Sequence, residues 1–420
     1  MGTLVAPLAR RDGDRHGTGT VRRMVGHAEW EGSMSVQPFR VAVAQATLDD
    51  LRERLARTRW PDEVAGAGWE YGTDLGYLQR LVAYWRDGFD WRAREAELNR
   101  FAHFRADLGG LGIHFIHERG AGPAPLPLIL THGWPDSFCR MVKLVPLLTD
   151  PARHGGDPAD AFDVVVPSLP GFGFSDRPRE RGMTQERVAA LWARLMADEL
   201  GYRRFAAHGS DWGTGVTERL AFNHAAALVG IHLTDVPARQ LGALPPDVLS
   251  DAERAYLDAG RRWQATEGGY AAIQGTRPQT LAAGLNDSPA GLASWIVEKF
   301  RAWSDCGGDV ERRFTKDELL TNITIYWTTE TIGSSCRLYY ENRANPPQGG
   351  GGYTPVPTGF AIFPRDLVPV PHGSAERFFN VRRWTEMPRG GHFAAMEEPE
   401  LLAADMRAFF RPLRDPRGYR

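Results

Sequence analysis

The sequence predicts an α/β fold in which a mostly parallel central sheet is flanked by helices. Four short apolar runs end in turn residues, as buried parallel strands do. Helical patterns alternate with these runs, and this alternation is typical of a parallel sheet covered by helices on both faces. The four runs are LPLILTHGWP, FDVVVPSLPGFGFS, RFAAHGSDWG and LVGIHLTDVP.

The first part of the chain lacks this alternation. Residues 1–36 are rich in Gly, Arg and Asp and show no sustained period, which predicts a disordered tail. Residues 37–107 are predicted to form a helical and irregular extension without strands. One helix in it opens at Thr47, and a second runs through LGYLQRLVAYWRDGF.

The sheet is predicted to form from two separate parts of the chain, residues 108–237 and 346–420. The first part starts with GIHFIHERG, which alternates like a half-exposed strand, and includes the helix TQERVAALWARLMADELGY with Thr184 as its N-cap. The second part contains the strand GFAIFPRD and the closing helix EEPELLAADMRAFFRPL. Residues 238–345 between them are mostly helical with Gly and Pro breaks, so we expect a lid inserted between sheet strands.

The bulk composition argues against several classes of function. The 420 residues carry a net charge of -2, so the chain has no basic field for nucleic acid or an anionic membrane. Its three cysteines, Cys139, Cys306 and Cys336, are too dispersed for a disulfide framework or a zinc cluster. No apolar run is long enough for a transmembrane anchor or a secretory signal. These features predict a soluble, cytoplasmic protein and leave a homodimer open.

A motif with chemical meaning follows the third apolar run, at Gly209-Ser210-Asp211-Trp212-Gly213. It matches the strand-turn-helix pattern G-x-S-x-G, in which a strained turn exposes a nucleophile between two small residues. Here the exposed position is Asp211. Centring the pattern on Ser210 would put His208 and Trp212 where small residues are required. A plain helix cap by Asp211 is the simpler alternative, so the motif needs support from elsewhere in the chain.

Three further segments supply that support. The turn THGWP follows a predicted strand, and the backbone amides of Trp134 and Trp212 are expected to converge as an oxyanion hole. His392 lies late in the chain, in a loop that two glycines leave unhindered. Asp366 follows the strand GFAIFPR and is placed to orient the imidazole of His392. The order nucleophile, acid, histidine is one that nucleophile turns of this type use.

A carboxylate nucleophile suits a particular reaction. An aspartate is already ionised at neutral pH and can displace a leaving group from saturated carbon, which gives an alkyl ester on Asp211. His392 would then activate a water that attacks the carbonyl of this ester. Epoxides and alkyl halides are the main substrates open to this route.

An epoxide also needs a hydrogen-bond donor for the alkoxide that ring opening creates. A tyrosine can serve because its hydroxyl stays protonated at neutral pH. Tyr270 and Tyr339 in the predicted lid are candidates. Spacing alone does not separate them from Tyr256, Tyr326 or Tyr340.

Nine segments resemble one known family, the epoxide hydrolases of the microsomal and juvenile-hormone type. The resemblance runs from about Phe39 to Leu413. Its segments are FDWRAREAELNRFAHF, IHFIHERG, LILTHGWPDSF, VPSLPGFGFSD, HGSDWG, LNDSPAGLA, LLTNITIYWTTETIGSS, VPTGFAIFPRD and RGGHFAAMEEPELLA. It implies an α/β-hydrolase fold with a helical lid, and it identifies residues 37–107 as the family's N-terminal domain.

The resemblance also implies roles for individual residues. Asp211 would be the nucleophile, His392 the base and Asp366 the acid, with Tyr270 and Tyr339 assisting ring opening. Some family members carry glutamate at the acid position, and the shorter Asp366 is a departure. The implied reaction turns an epoxide into a vicinal diol without cofactor or metal.

Two other functions remain open at this point. A haloalkane dehalogenase would use the same aspartate and bind halide through indole N-H groups such as those of Trp134 and Trp212. A non-catalytic receptor on the same fold is the other alternative. The aromatic residues of the lid, with Trp327 and Trp295 as candidate contacts, suggest a lipophilic epoxide as substrate. A detoxifying and a biosynthetic enzyme would look alike in sequence.

Overall fold

The computed structural model describes residues 36–236, 239–346, 352–368, 370–414 and 419, and it does not describe the side chains of residues 239 and 240. The predicted disordered tail therefore lies outside the described residues, apart from Val36. The described residues belong to one compact unit, Met34–Arg420. Among them, no helix combines the length and the apolar character that a membrane crossing requires.

One sheet of nine strands runs through the described residues. The strands are β1 (Gln37–Phe39), β2 (His103–Asp107), β3 (Gly112–Glu118), β4 (Leu126–Thr131), β5 (Phe162–Pro167), β6 (Phe205–Gly209), β7 (Leu228–Leu233), β8 (Thr354–Ile362) and β9 (Phe379–Glu386). Their spatial order is β1-β2-β3-β5-β4-β6-β7-β8-β9. From β5 to β9 all neighbours are parallel, while β1, β2 and β3 pair antiparallel. The predicted fold class, a mostly parallel sheet flanked by helices, is confirmed.

Helices cover the sheet and form the layer above its carboxyl edge. They are α1 (Gln45–Ala56), α2 (Leu75–Asp87), α3 (Trp91–Leu98), α4 (Leu144–Thr149), α5 (Gln185–Arg194), α6 (Trp212–Asn223), α7 (Arg239–Gly242), α8 (Asp251–Glu267), α9 (Gly269–Gln274), α10 (Pro278–Leu285), α11 (Pro289–Trp303), α12 (Lys316–Thr329), α13 (Ile332–Ala344), α14 (His372–Ala375), α15 (Ala394–Glu397) and α16 (Pro399–Phe410). Helix α5 begins as predicted, since the side chain of Thr184 accepts a hydrogen bond from the amide of Arg187.

The N-terminal extension contains strands that the sequence did not indicate. Residues 37–107 include β1 and β2, which pair with each other and continue the sheet through β3. The sequence HFRAD lacks an apolar run, and only His103 and Ala106 of β2 are buried. Its strand conformation depends on backbone pairing with β3, and the residue pattern of β2 does not predict that pairing. Strand β3 was predicted to be half-exposed, but all of its residues except Glu118 are buried.

The N-terminal extension is bonded to the helical layer between β7 and β8, which we call the lid (α7 to α13). The indole Nε1 of Trp85 donates to the hydroxyl of Thr324 at 3.0 Å. The hydroxyl of Thr73 donates to the carbonyl of Ser294 at 2.9 Å. The guanidinium of Arg54 pairs with Asp287 at 2.7 Å. These contacts tie the lid to the N-terminal extension as well as to its own connections with β7 and β8.

Glycines allow the central strands and α6 to approach each other closely. Thr131, the last residue of β4, lies directly opposite Gly209, the last residue of β6. A Cβ atom on Gly209 would overlap the carbonyl of Gly213, and one on Gly213 would overlap the carbonyl of Thr131. Helix α6 can therefore begin at the strand ends only because both positions lack a side chain.

We predict that Gly213→Ala destabilises the protein by roughly 2 kcal/mol or more, because the added methyl group must displace the backbone of β4. The matched control is Gly260→Ala within α8, where a new Cβ meets nothing within 4 Å. That control should gain up to about 1 kcal/mol from higher helix propensity. Urea unfolding of both variants measures the difference, and equal stabilities would contradict the close packing described here.

Candidate active site

The predicted catalytic residues meet at the carboxyl edge of the sheet, where open parallel sheets bind their ligands. Asp211 follows β6, Asp366 follows β8, and His392 follows β9. Residues far apart in the chain converge here because parallel strands all end at the same edge. The same edge carries the turn after β4, which contains Trp134.

Asp211 is held in a strained backbone conformation. Its φ of 55° and ψ of -123° are unusual for a residue with a side chain. The carboxylate makes no capping hydrogen bond to α6, so a helix cap does not explain the residue. Instead the backbone amide of Trp134 donates to Asp211 Oδ1 at 2.8 Å. Gly133 makes this possible, since a Cβ there would overlap the carboxylate.

His392 lies between two carboxylates. Its Nδ1 is 2.7 Å from Asp366 Oδ1, and its Nε2 is 3.3 Å from Asp211 Oδ2. The imidazole is 2% exposed. Burial opposes its positive charge, but the neighbouring carboxylates of Asp366 and Asp211 prevail and raise the pKa of His392 to about 10. Burial likewise opposes the charge of Asp366, yet the imidazolium of His392 lowers the pKa of Asp366. His392 is therefore an imidazolium at neutral pH.

A buried ion pair connects the loop of His392 to the turn of Trp134. The guanidinium of Arg140 bonds the carboxylate of Asp136 and also donates to the carbonyl of His392. Asp136 Oδ1 accepts from the amide of Gly133 at 2.9 Å. Burial opposes the charge of Asp136, but Arg140 outweighs it and lowers the pKa of Asp136 to about 2. The pair thus fixes the turn of Trp134 and the loop of His392 relative to each other.

The lid and a glutamate complete the positioning of these two loops. From α12, the Tyr326 hydroxyl donates to the carbonyl of Asp136 at 2.7 Å and Asn322 donates to the carbonyl of Pro135 at 2.8 Å. The amide of His392 donates to the carbonyl of Trp303 at 2.9 Å. Glu397 accepts from the amide of Phe393 at 3.0 Å. Neither loop depends on its own sequence alone for its shape.

Tyr270 and Tyr339 of the lid line the same cavity as Asp211. The ring of Tyr270 stacks on Trp134 with centroids 5.1 Å apart. The ring of Tyr339 meets Trp212 edge to face at 4.6 Å, and the two tyrosine rings are 5.8 Å apart. Burial, with a smaller contribution from Asp211, raises the pKa of Tyr270. Burial and the neighbouring Tyr270 likewise raise the pKa of Tyr339, so both hydroxyls remain donors at neutral pH.

These residues line a cavity of about 360 Å³. Its wall includes Asp211, His392, Asp366, Tyr270 and Tyr339. It also includes Trp212, which begins α6 beside the nucleophile. Of the inferred site residues, Asp211, His392, Asp366, Tyr270, Tyr339 and Trp212 therefore line one open cavity, while Trp134 contacts it through the carboxylate of Asp211.

The two lid tryptophans expected to contact substrate lie elsewhere. Neither Trp327 nor Trp295 lines the cavity. The indole of Trp295 donates to Gln274 at 3.1 Å, and Trp327 packs under the guanidinium of Arg54. Both side chains are used in contacts between elements of the lid and extension. Trp263 and Tyr256 of α8 provide the aromatic wall instead.

The structure also separates the five candidate tyrosines. Tyr256, Tyr270 and Tyr339 line the cavity. In contrast, Tyr326 donates to the carbonyl of Asp136, and Tyr340 is 41% exposed. Helix periodicity could not make this choice, because it does not say which side of the lid meets the sheet.

Sequence reasoning missed two polar residues of the site. Asp235 lines the cavity directly after β7, and its position at the end of a parallel strand was a signal that could have indicated it. Arg140 gave no comparable signal, since its importance comes from contacts with residues of two other segments.

No group of three or more possible metal ligands occurs among the described residues. His114 and His117 make contacts on different sides of β3. His114 Nδ1 is 2.9 Å from the hydroxyl of Ser168, and His117 Nε2 is 3.1 Å from that of Tyr202. Both histidines are buried and bonded to neighbouring side chains.

Comparison with known proteins gives a consistent result. Residues 36–141 match the family model described as "Epoxide hydrolase N terminus", and residues 127–271 match "alpha/beta hydrolase fold". The chain is 37% identical over 409 residues to epoxide hydrolase 1 of Oryctolagus cuniculus, covering 89% of this chain and 88% of that protein.

Solved structures agree. Juvenile hormone epoxide hydrolase from the silkworm Bombyx mori is 29% identical with a TM-score of 0.78, over 92% of this chain and 96% of that chain. Aspergillus niger epoxide hydrolase is also 29% identical, with a TM-score of 0.79 over 91% of this chain and 97% of that chain. The likeness covers the N-terminal extension, the sheet and the lid together.

We predict that Arg140→Met destabilises the protein by about 3 to 5 kcal/mol, because it leaves the carboxylate of Asp136 buried and unpaired. The double variant Asp136→Asn/Arg140→Met removes both charges and should recover part of this loss. Arg57→Met is the control, since Arg57 pairs with Glu53 in solvent and should change stability by less than about 1 kcal/mol. Urea unfolding measures all three. No rescue in the double variant would mean that the charge on Asp136 is not the cause.

Proposed function

The chain belongs to the epoxide hydrolase family, and from that premise we propose that it opens an epoxide through a covalent ester on Asp211 and releases a vicinal diol. The observation that carries this proposal is the position of the Asp211 carboxylate. It lies 2.8 Å from the amide of Trp134 and 3.3 Å from an imidazole whose other nitrogen is 2.7 Å from Asp366. That arrangement supports both halves of the reaction.

In the first half, Asp211 Oδ2 attacks a carbon of the epoxide from the side opposite the ring oxygen. The carbon-oxygen bond of the ring breaks, an ester bond to Asp211 forms, and the ring oxygen becomes an alkoxide. The hydroxyls of Tyr270 and Tyr339 stabilise this alkoxide and relay a proton to it. Their raised pKa values support this role, because a tyrosine that ionised easily would not be available as a donor.

Ester formation also changes the state of His392. The negative charge of Asp211 is one of the interactions that raise the pKa of His392 in the resting site. The ester is neutral, so the pKa of His392 falls when it forms. The imidazolium can then give up a proton at the stage when the alkoxide needs one. It becomes the neutral base that the second half requires.

In the second half, His392 removes a proton from water, and the resulting hydroxide attacks the ester carbonyl of Asp211. The amide of Trp134, with that of Trp212, stabilises the oxyanion. Collapse breaks the acyl-oxygen bond and expels the diol oxygen, which takes its proton from the newly formed carboxylic acid. Asp211 is again a carboxylate, His392 is again an imidazolium, and one oxygen of Asp211 has come from water.

A lipophilic epoxide remains the substrate class that we propose. Ile362, Val236, Val370 and Trp263 contribute apolar surface to the cavity. Burial of such surface favours an alkyl or aryl substituent on the epoxide.

A haloalkane dehalogenase activity is a second candidate, because Trp134, whose backbone amide bonds Asp211, has a buried indole Nε1 with no hydrogen-bond partner among the described residues. Such an N-H group could bind a halide leaving group. The two tyrosine hydroxyls favour an epoxide. Product analysis on matched alkyl chains bearing an epoxide or a halide would distinguish diol formation from halide release.

We predict that His392→Gln forms the ester but hydrolyses it slowly, because the base is missing while Asp211 is intact. Incubation with styrene oxide should then increase the intact mass by the whole mass of the epoxide. His372→Gln is the control, since His372 is exposed and should leave no adduct. In the wild-type enzyme, one turnover in ¹⁸O-water should place the label in Asp211. An unmodified His392→Gln protein that turns over normally, or label found directly in the diol, would refute the covalent route.

We predict that Tyr270→Phe/Tyr339→Phe slows ring opening by roughly 10²-fold or more, because the alkoxide loses its proton source. The adduct should therefore fail to accumulate when this change is combined with His392→Gln. Tyr340→Phe on the same helix is the matched control, as its side chain is exposed. Stopped-flow fluorescence and intact mass give the rates, and an unchanged alkylation rate would remove both tyrosines from the mechanism.

A further inference from the structure

A third carboxylate lies in the cavity beside Asp211 and Asp366, and the mechanism above does not use it. Asp235 follows β7, the strand next to β6, and it lines the cavity wall. The hydroxyl of Thr214 on α6 donates to Asp235 Oδ1. Among the described residues no donor bonds the other oxygen, Oδ2.

Asp235 has apolar neighbours along this part of the wall. Val236, Val368 and Val370 line the same cavity. Asp235 is half-buried, and a ligand that fills this cavity removes solvent from Oδ2, so it must supply a hydrogen bond in place of that solvent. Burial, reinforced by the charge of Asp366, raises the pKa of Asp235 to about 7.

Tyr256 supplies a second polar group in the same wall. It projects from α8 of the lid, and no described residue bonds its hydroxyl. Burial and then the charge of Asp235 raise the pKa of Tyr256, and both residues line the same cavity. A carboxyl oxygen that accepts and a phenol that donates match one ligand group, a hydroxyl, which can do both.

The catalytic residues do not need these two side chains. Asp366 already bonds Nδ1 of His392 at 2.7 Å, and Tyr270 and Tyr339 pack against Trp134 and Trp212 in the same cavity. We propose that Asp235 and Tyr256 form a polar subsite that binds a hydroxyl group on the substrate, so that the preferred substrates are lipophilic epoxides that also carry an alcohol. This inference rests on the proposed epoxide hydrolysis and names its substrate class.

The subsite would act by discrimination. An epoxide without the hydroxyl leaves Oδ2 of Asp235 desolvated and unpaired, whereas an epoxy alcohol satisfies it. Sites built to bond a substrate hydroxyl reject analogues that lack it more strongly than apolar pockets reject an extra methyl group. The expected preference is therefore a ratio of rates on two substrates of the same shape.

The test uses 3-phenylglycidol and 1-phenylpropylene oxide, which differ only by a hydroxyl on the terminal carbon. For the wild-type enzyme and each variant, the measured quantity is the ratio of kcat/KM for the alcohol to kcat/KM for the hydrocarbon. Intrinsic reactivity of the two epoxides cancels when these ratios are compared. Any general effect of a substitution on His392 also cancels, because it acts on both substrates.

We expect Asp235→Leu to lower this ratio roughly tenfold or more, in line with the loss of a substrate hydrogen bond in a site built to bind a hydroxyl. Tyr256→Phe should lower it by a smaller factor and removes only one oxygen, so it tests the subsite even if Asp235→Leu fails to fold. The matched controls are Asp258→Asn, an exposed residue on α8, and Tyr340→Phe. Both controls should keep the wild-type ratio.

The outcomes separate this inference from the proposed function. If the wild-type enzyme hydrolyses neither epoxide nor any other tested epoxide, the proposed function itself fails. If epoxides are hydrolysed but the ratio is the same in wild type, Asp235→Leu and Tyr256→Phe, the subsite is refuted while the function stands. Equal losses on both substrates would also refute it, because they would make Asp235 a positioning residue for His392.

Discussion

The active site depends on one buried ion pair, between Asp136 and Arg140. Its two side chains are 1% and 0% exposed, so both charges are stable only as long as each has its partner. Arg140 Nη2 donates to the carbonyl of His392, and Asp136 Oδ1 accepts from the amide of Gly133. The turn of Trp134 and the loop of His392 are thereby joined through hydrogen bonds that neither segment could make alone. Tyr326 and Asn322 bring the lid into the same network.

The charges around the nucleophile form an ordered series. Asp211 lies next to His392, His392 next to Asp366, and the cation of Arg140 lies behind them. In a buried environment each charge sets the protonation of its neighbour, so a change at one position moves the others. In the proposed reaction, esterification of Asp211 removes one negative charge from the series and makes the imidazole of His392 a base. The step that we propose binds the substrate covalently would therefore also prepare the residue that releases it.

Much of the site could be predicted from the sequence because several of its residues directly follow the ends of strands. The frame around Asp211, the order of Asp366 and His392, and the turn of Trp134 are all local patterns, and the structure brings these residues together. The predictions failed where the answer depended on which side of a helix faces the cavity. Trp327 and Trp295 were chosen for their aromatic character, and both face other elements. Strand β2 was missed because its conformation depends on pairing with β3 rather than on apolar alternation.

The sequence by itself determined the parallel sheet, the small residues at Gly209 and Gly213, and the carboxylate at the exposed turn position. Each of these features depends on a short segment, in which the residue types directly limit the backbone conformation. Only the tertiary structure decided which tyrosines line the cavity, that Arg140 bonds His392 across 252 residues of sequence, and that Asp235 shares the cavity. Such contacts form between segments that are distant in sequence. A local residue pattern cannot specify them, because the segments become neighbours only when the chain folds.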